Sequence, residues 1–137
     1  MSKTAVIYWS GTGNTEAMAK AVLKGAGVGA QLFSVSDFDA AKIDAFDAFA
    51  LGCPAMGSES LEDSEFEPFF DAIKDKLAGK KVVLFGSYGW GDGEWMRNWE
   101  GACGDAGITL AAESVICNEA PDAAAIEECK ALGAALA

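Results

Sequence analysis

The sequence predicts an α/β protein, a parallel β-sheet with helices on both faces, and three observations lead there. Ala5-Val6-Ile7-Tyr8-Trp9, Ala48-Phe49-Ala50-Leu51 and Val82-Val83-Leu84-Phe85 are continuous apolar runs, and runs that do not alternate belong to strands buried on both faces. Segments of helical periodicity lie between them. The resulting order, β-α-β-(α)-β-α-β-α-β-α, returns each strand parallel to the one before through a crossover.

The elements follow in turn. After the first strand, residues 14–26 carry Ala17, Met18, Ala21, Val22 and Gly25 at steps of three and four, which builds one apolar helix face. Ala30-Gln31-Leu32-Phe33-Ser34-Val35 alternates more and is expected towards a sheet edge. Residues 36–46 read as a short helix or a loop. Residues 64–78 place Phe66, Phe69, Phe70, Ile73 and Leu77 at helical spacing, with Pro68 tolerable only in the first turn and Gly79 closing the helix. Trp95, Met96, Trp99 and Cys103 mark a further helix, and Ile126, Cys129, Leu132 and Leu136 the last. The fifth strand is expected within residues 108–117, with an interruption near Glu113.

Composition bounds the function. A chain of 137 residues suggests one domain, spanning residues 1–137. Ten basic residues against 21 acidic ones leave a net charge of −11. That balance argues against nucleic acid and against anionic membranes, and favours docking to a partner with a basic patch. No segment approaches the roughly 18 unbroken apolar residues of a membrane span, and the start lacks the pattern of a secretory signal. A cytoplasmic protein is expected, working as a monomer. The four cysteines, Cys53, Cys103, Cys117 and Cys129, show no C-x-x-C spacing, and the chain has no histidine. A metal centre is therefore not expected, and the thiols read as buried and free.

In a parallel sheet of this kind ligands bind at the carboxyl ends of the strands, which directs attention to the loops after Trp9, Leu51 and Phe85. The first, Ser10-Gly11-Thr12-Gly13-Asn14-Thr15, offers hydroxyls, an amide and two glycines at a helix start. Unpaired N–H groups and the helix dipole bind an anion there. The Walker A ending is absent, and Glu16 stands where the dinucleotide motif needs its third glycine. The alternative for this loop is a plain helix cap by Thr12 or Asn14. The second loop, Cys53-Pro54-Ala55-Met56-Gly57-Ser58-Glu59-Ser60-Leu61, puts a soft apolar Met56 among small polar residues. Glu59 is either an acceptor for a ring N–H or an ordinary surface acid. The third, Ser87-Tyr88-Gly89-Trp90-Gly91-Asp92-Gly93-Glu94-Trp95, sets Trp90 between two glycines, a poor place for a core residue and a good one for laying an indole on a flat ligand. A phosphate cradle beside an aromatic platform suits a planar ring with a phosphate tail. None of the loops supplies a histidine, a nucleophile or a metal set, so the chemistry would belong to a cofactor.

Three stretches, Tyr-Trp-Ser-Gly-Thr-Gly-Asn-Thr-Glu at 8–16, Gly-Cys-Pro-Ala-Met-Gly-Ser-Glu at 52–59 and Leu-Phe-Gly-Ser-Tyr-Gly-Trp-Gly at 84–91, resemble the short-chain flavodoxins of anaerobic bacteria. The similarity extends through Phe66-Glu67-Pro68-Phe69 and Asn118-Glu119-Ala120-Pro121-Asp122. It implies a flavodoxin-like, doubly wound, five-stranded parallel sheet in the order 2-1-3-4-5. It also implies non-covalently bound FMN and one-electron transfer between redox partner proteins, rather than an enzyme. By this resemblance residues 10–15 hold the phosphate, Met56 and Trp90 cover the two faces of the ring, and Glu59 meets its N3 side. Ser87 and Gly89 line the ribityl and pyrimidine side and Gly91 the nearby turn, with Pro54, Ala55, Ser58 and Tyr88 completing the cofactor-binding set. The Gly57–Ser58 peptide would flip on reduction and stabilise the semiquinone. The glycine-rich stretch at 24–29 departs from the family pattern, away from these loops, and no effect on the cofactor is expected.

Charge supplies a separate reason for a low potential. Two electrons leave the flavin tending towards an anion, and an anion is disfavoured inside a protein of net charge −11. Two rivals are weighed. An FMN-dependent reductase needs a second substrate pocket, for which short loops leave little room. A phosphorylated receiver domain needs acidic residues after the first strand and an aspartate after the third, where this chain has Ser10 and Gly52-Cys53.

Overall fold

The three apolar runs form the middle of the sheet. The computed structural model describes residues 3–11, 13–56, 60–89 and 91–136. Strands β1 (Thr4–Tyr8), β2 (Ala30–Ser34), β3 (Ala48–Gly52), β4 (Lys81–Tyr88) and β5 (Val115–Asn118) make one sheet in the order β2-β1-β3-β4-β5, with every pairing parallel. The order reverses at β1, so the gap between β1 and β3 at their carboxyl ends is the switch point. All five residues of β3 are buried, whereas β2 is only half-buried and lies at the edge, as its alternation predicts.

Alternation within the strands sorts the core into two layers. Ala5, Ile7, Phe49, Leu51, Val82 and Leu84 pack under helices α2 (Phe66–Ile73) and α3 (Glu94–Asp105). Val6, Ala48, Ala50, Val83, Phe85 and Val115 pack under α1 (Asn14–Ala26) and α4 (Ala123–Ala134). The second layer is thin because α1 and α4 touch backbone to backbone. A Cβ on Gly25 would lie 1.9 Å from the Lys130 carbonyl oxygen, and one on Gly133 would lie 2.0 Å from that of Val22. Gly25 thus has a packing role rather than a loop role.

Two elements differ in their bounds from the sequence reading, α2 and β5, and one ambiguous stretch resolves. The helix expected over 64–78 is α2 alone, tightened into a 3-10 turn over Lys74–Lys76 that still buries Leu77. Its start is set by Glu62, a buried carboxylate that accepts from the backbone N–H groups of Ser64 (3.0 Å), Glu65 (2.7 Å) and Phe66 (2.9 Å) and from the Ser64 hydroxyl. Those bonds satisfy the Phe66 N–H, a first-turn donor that α2 leaves without an intrahelical partner, and fix the two residues that lead into the helix. Pro68, the third helical residue, costs no hydrogen bond there. Residues 36–46 resolve as a 3-10 helix over Ala40–Ala45, capped by Asp39, which accepts from the Ala41 N–H at 2.9 Å. The fifth strand is interrupted as expected: Leu110 bridges Val82, the chain leaves the sheet, and β5 resumes at Val115 and runs one residue past the predicted limit.

Candidate functional site

The carboxyl ends of β1, β3, β4 and β5 converge on a cleft of about 220 Å³. Gly11 and Asn14 enter it from the first loop, Pro54, Ala55 and Met56 from the second, and Ser87, Tyr88 and Gly89 from the third. Eight of the residues expected at the site are thus brought to one surface. Ser10, Gly13, Thr15 and Gly91 stand behind or beside it. Thr12, Gly57, Ser58, Glu59 and Trp90 lie outside the described residues.

The first loop leads into α1 through a glycine. Gly13 is the residue before α1, held at φ 95°, a left-handed conformation that a glycine adopts without strain. Having no side chain, it caps nothing, and Asn14 is the first helical residue rather than its cap; Thr12, the other candidate cap, lies outside the described residues. The first N–H to find a helical acceptor is that of Ala17, which donates to the Gly13 carbonyl at 3.0 Å. The N–H groups of residues 14–16 therefore have no intrahelical partner. The Ser10 Oγ accepts from the Gly13 N–H at 3.0 Å, which folds the loop back and leaves the hydroxyl proton free to donate. Thr15 is buried, its hydroxyl 3.3 Å from that of Ser87, and this bond ties the first loop to the third.

The second and third loops are joined by an extension of the sheet ladder. The Cys53 N–H donates to the Phe85 carbonyl at 3.2 Å and the Ala55 N–H to that of Ser87 at 3.0 Å. Met56 and Ser60 exchange two backbone hydrogen bonds, 2.8 and 3.0 Å, and so pinch together the two ends of the 57–59 segment. Met56 keeps 37% of its surface exposed at the cleft wall, an apolar group offered to whatever enters. Tyr88 leans on Trp95 at 5.5 Å between ring centroids. Trp95 and Trp99 are buried on the inner face of α3, the core role read from their spacing.

Two residues of the cleft were missed by sequence reasoning. Trp9 lines it from the end of β1 and Glu119 from the end of β5. Glu119 has φ 58°, the single left-handed non-glycine among the described residues, and its N–H donates to the Tyr88 carbonyl at 2.8 Å. The Asn118 side chain donates to the same carbonyl at 3.2 Å. The rule that named three strand ends applies equally to the fourth, and would have found Glu119.

Among the described residues no lysine or arginine lines the cleft. Carboxylates stand near it instead. Tyr8 donates to Glu16 at 3.1 Å, and burial, this bond and the charges of Glu16 and Asp37 together hold its phenol above the ordinary range. The cysteines are free; burial pushes Cys53, Cys103 and Cys129 up to about 12 and Cys117 to about 11. They are protonated at neutral pH and unsuited to nucleophilic work. Among the described residues no group of three or more acidic or cysteine side chains is placed to hold a metal, and no helix is long and apolar enough to cross a membrane.

The fold and cleft define a doubly wound α/β protein with a ligand-sized cleft beside the start of its first helix, and no lysine or arginine among the described residues that line it. The sequence matches the flavodoxin family over residues 6–133. It is 51% identical over 135 residues to a flavodoxin of Megasphaera elsdenii, covering 96% of each chain, and 48% identical over 122 residues to one of Clostridium beijerinckii, covering 87% of this chain and 88% of that one. The solution structure of the two-electron reduced M. elsdenii flavodoxin superposes with a TM-score of 0.88 over 97% of both chains at 49% identity. A flavodoxin from the domain Archaea gives 0.84 at 28% identity, over 97% of this chain and 94% of its own. The chain belongs to the flavodoxin family. It is an electron carrier rather than an enzyme, and its cofactor is FMN. The start of α1, where Gly13 offers no side-chain cap, and the cleft lined by Met56 and Tyr88 fit a phosphate and a flat ring respectively.

Proposed function

We propose that this flavodoxin carries one electron at a time at low potential between partner proteins with basic surfaces, and that the three loops divide the work of holding FMN. Residues 10–15 take the phosphate: the N–H groups of the first turn of α1 and the Ser10, Thr12 and Thr15 hydroxyls are the donors. Met56 and Trp90 cover the two ring faces and exclude water, Glu59 meets N3, and Ser87, Tyr88, Gly89 and Gly91 line the remaining side with Pro54, Ala55 and Ser58. Bound FMN supplies the redox chemistry; the chain supplies position and electrostatics. The Gly57–Ser58 peptide turns its carbonyl towards ring N5 on reduction, which requires a residue free to take either backbone conformation.

The observation that carries the phosphate assignment is the α1 start opening on the largely apolar cleft, with a left-handed Gly13 in place of a capping side chain. Low potential is supported by the net charge of −11 and by the absence of lysine and arginine among the described residues that line the cleft. The working state we propose is a one-domain monomer of the cytoplasm. One continuous sheet with a core on each face supports the single domain. Unbridged, protonated thiols suit a reducing compartment, and strong self-repulsion disfavours self-association.

A redox titration of the FMN-loaded chain tests the peptide turn. Gly57→Thr adds a β-branched side chain that resists one of the two backbone conformations by about 1–2 kcal/mol. The half-reduced form, followed by its long-wavelength absorption, is expected to accumulate less at the midpoint than in the parent. Equal accumulation in the two proteins would remove Gly57 from the control of the couple.

A further inference from the structure

We propose that the hydrogen bond between Trp9 and Glu65 is a strut that positions the phosphate loop, so that this pair sets the preference for a phosphate-bearing flavin over one without phosphate. The proposal rests on the assignment of residues 10–15 to the phosphate and goes beyond it, because neither residue belongs to that loop.

The two ends of the indole touch different parts of the chain. Its Nε1–H donates to Glu65 Oε1 at 3.2 Å, across 56 residues of sequence. Its far edge lies under the loop: a Cβ on Gly11 would sit 3.1 Å from Cη2 and 3.3 Å from Cζ3. The ring therefore spans the distance from the start of α2 to the floor of the first loop. Both supports are anchored. The Trp9 N–H donates to the Gly52 carbonyl at 3.0 Å, which continues the β1–β3 ladder. The Glu65 N–H donates to the buried Glu62 carboxylate at 2.7 Å.

Trp9 is also a partition. On one side it lines the ligand cleft; on the other it lines a polar cleft of about 210 Å³ whose walls include Ser10, Glu16, Ser34 and Glu65. An indole held upright keeps the water and the carboxylates of that second cleft away from the anion cradle. An indole released from Glu65 leaves Gly11 without its support and joins the two clefts. Placing a carboxylate beside a phosphate site is unfavourable by charge alone. Its service as a hydrogen-bond acceptor accounts for why Glu65 stands there.

The bond lies at the surface, so its loss is felt in the loop more than in global stability. A role through the loop differs from a general structural role in one respect: it affects FMN and spares riboflavin, which has the same ring and ribityl chain but no phosphate. It differs from a purely electrostatic role of Glu65 in another, since glutamine keeps the acceptor oxygen and loses the charge.

The experiment is a titration of the flavin-free full chain with FMN and, separately, with riboflavin, followed by quenching of flavin fluorescence. The parent protein is expected to prefer FMN. Glu65→Leu, outside the ligand cleft, should weaken FMN about fivefold while riboflavin changes by less than about twofold; Trp9→Phe should weaken FMN at least as much, and adding Glu65→Leu to Trp9→Phe should cost nothing further. Glu65→Gln should retain the parent's preference. Tighter FMN binding in both Glu65→Gln and Glu65→Leu would show that the carboxylate only repels the phosphate, and would overturn the strut. Equal losses for the two flavins would do the same by reducing the pair to a structural contact. A parent protein that binds both flavins alike would instead remove the phosphate assignment itself, and the strut with it. Should Trp9→Phe fold poorly, the exposed Glu65 pair of variants decides the matter alone.

Discussion

Glu62 does for α2 what a serine or aspartate does for most helices, and does it from four residues before the helix. Its carboxylate is buried, which on its own raises the pKa, but the bonds from the Ser64 hydroxyl and from the Phe66, Glu65 and Ser64 N–H groups outweigh burial and hold the pKa below its ordinary 4.5. A carboxyl with a depressed folded pKa contributes stability above the unfolded pKa and loses it as pH falls through the folded one. Glu62→Gln is therefore expected to cost about 1–2 kcal/mol at pH 7. The gap from the parent should narrow below about pH 4.5, as urea denaturation at several pH values would read it; a gap that stays constant into acid would mean the charge is not what caps the helix. The same residue shows why parts of the site escape a sequence reading. Glu62 sits in a run of acids, Glu62-Asp63-Ser64-Glu65, that looks like solvated surface. Only the fold reveals that one of the four is buried and another receives the Trp9 indole. Glycine-rich loops at strand ends are conspicuous in sequence because their residue types are unusual. Trp9 and Glu119 are not, since a tryptophan after an apolar run reads as strand and a glutamate after an asparagine reads as surface.

At the scale of elements, legibility follows the reach of the interaction that makes each one. β1, β3 and β4 are legible because burial on both faces leaves a local signature. α2 begins at Phe66, the first residue of its apolar spacing and two residues inside the expected bound, because residues 64 and 65 are held by the Glu62 carboxylate rather than in the helix. The break in β5 is legible near Glu113, but where the strand resumes and ends is set by its register against β4, with Leu110 and Val115 both paired and four residues between them out of the sheet. Glycines make the point most directly, because their meaning depends on what they face. Gly133 in α4 and Gly101 in α3 are both helical. A Cβ at Gly133 would stand 2.0 Å from the Val22 carbonyl oxygen and 2.7 Å from the Ala26 nitrogen, whereas one at Gly101 meets nothing within 4 Å. Gly133→Ala is accordingly expected to force α1 and α4 apart and cost about 1–3 kcal/mol, more than the better helix propensity returns. Gly101→Ala should instead stabilise by up to about 1 kcal/mol. Midpoints of urea unfolding for the two variants, moving in opposite directions from the parent, would establish the close approach of α1 and α4; a neutral Gly133→Ala would refute it.

Charge is the property that belongs to the whole molecule, and it acts on stability and on partner encounter with opposite signs. Ten basic residues cannot neutralise 21 acidic ones. The ion pairs among the described residues, Lys20–Glu16, Lys74–Asp71, Arg97–Asp92 and Lys130–Glu127, all lie at the surface, where each contributes little. Folding therefore gathers a net −11 into a small volume, and the chain is less repelled when unfolded. Added salt screens this repulsion, since the Debye length contracts from about 30 Å at 0.01 M to about 8 Å at 0.15 M. Over that range the thermal midpoint of the FMN-loaded protein, followed by tryptophan fluorescence, is expected to rise by a few degrees. The proposed encounter with basic partners has the other sign, because the same screening removes the attraction that steers association. The second-order rate at which the reduced protein passes an electron to a basic c-type cytochrome, measured by stopped flow, should fall at least severalfold over the same range. Measuring both quantities on one preparation separates the causes. If the rate fell because salt loosened the protein, the midpoint would fall with it. A rising midpoint with a falling rate isolates the long-range field. A rate indifferent to salt would mean that the acidic surface serves solubility and plays no part in choosing the partner.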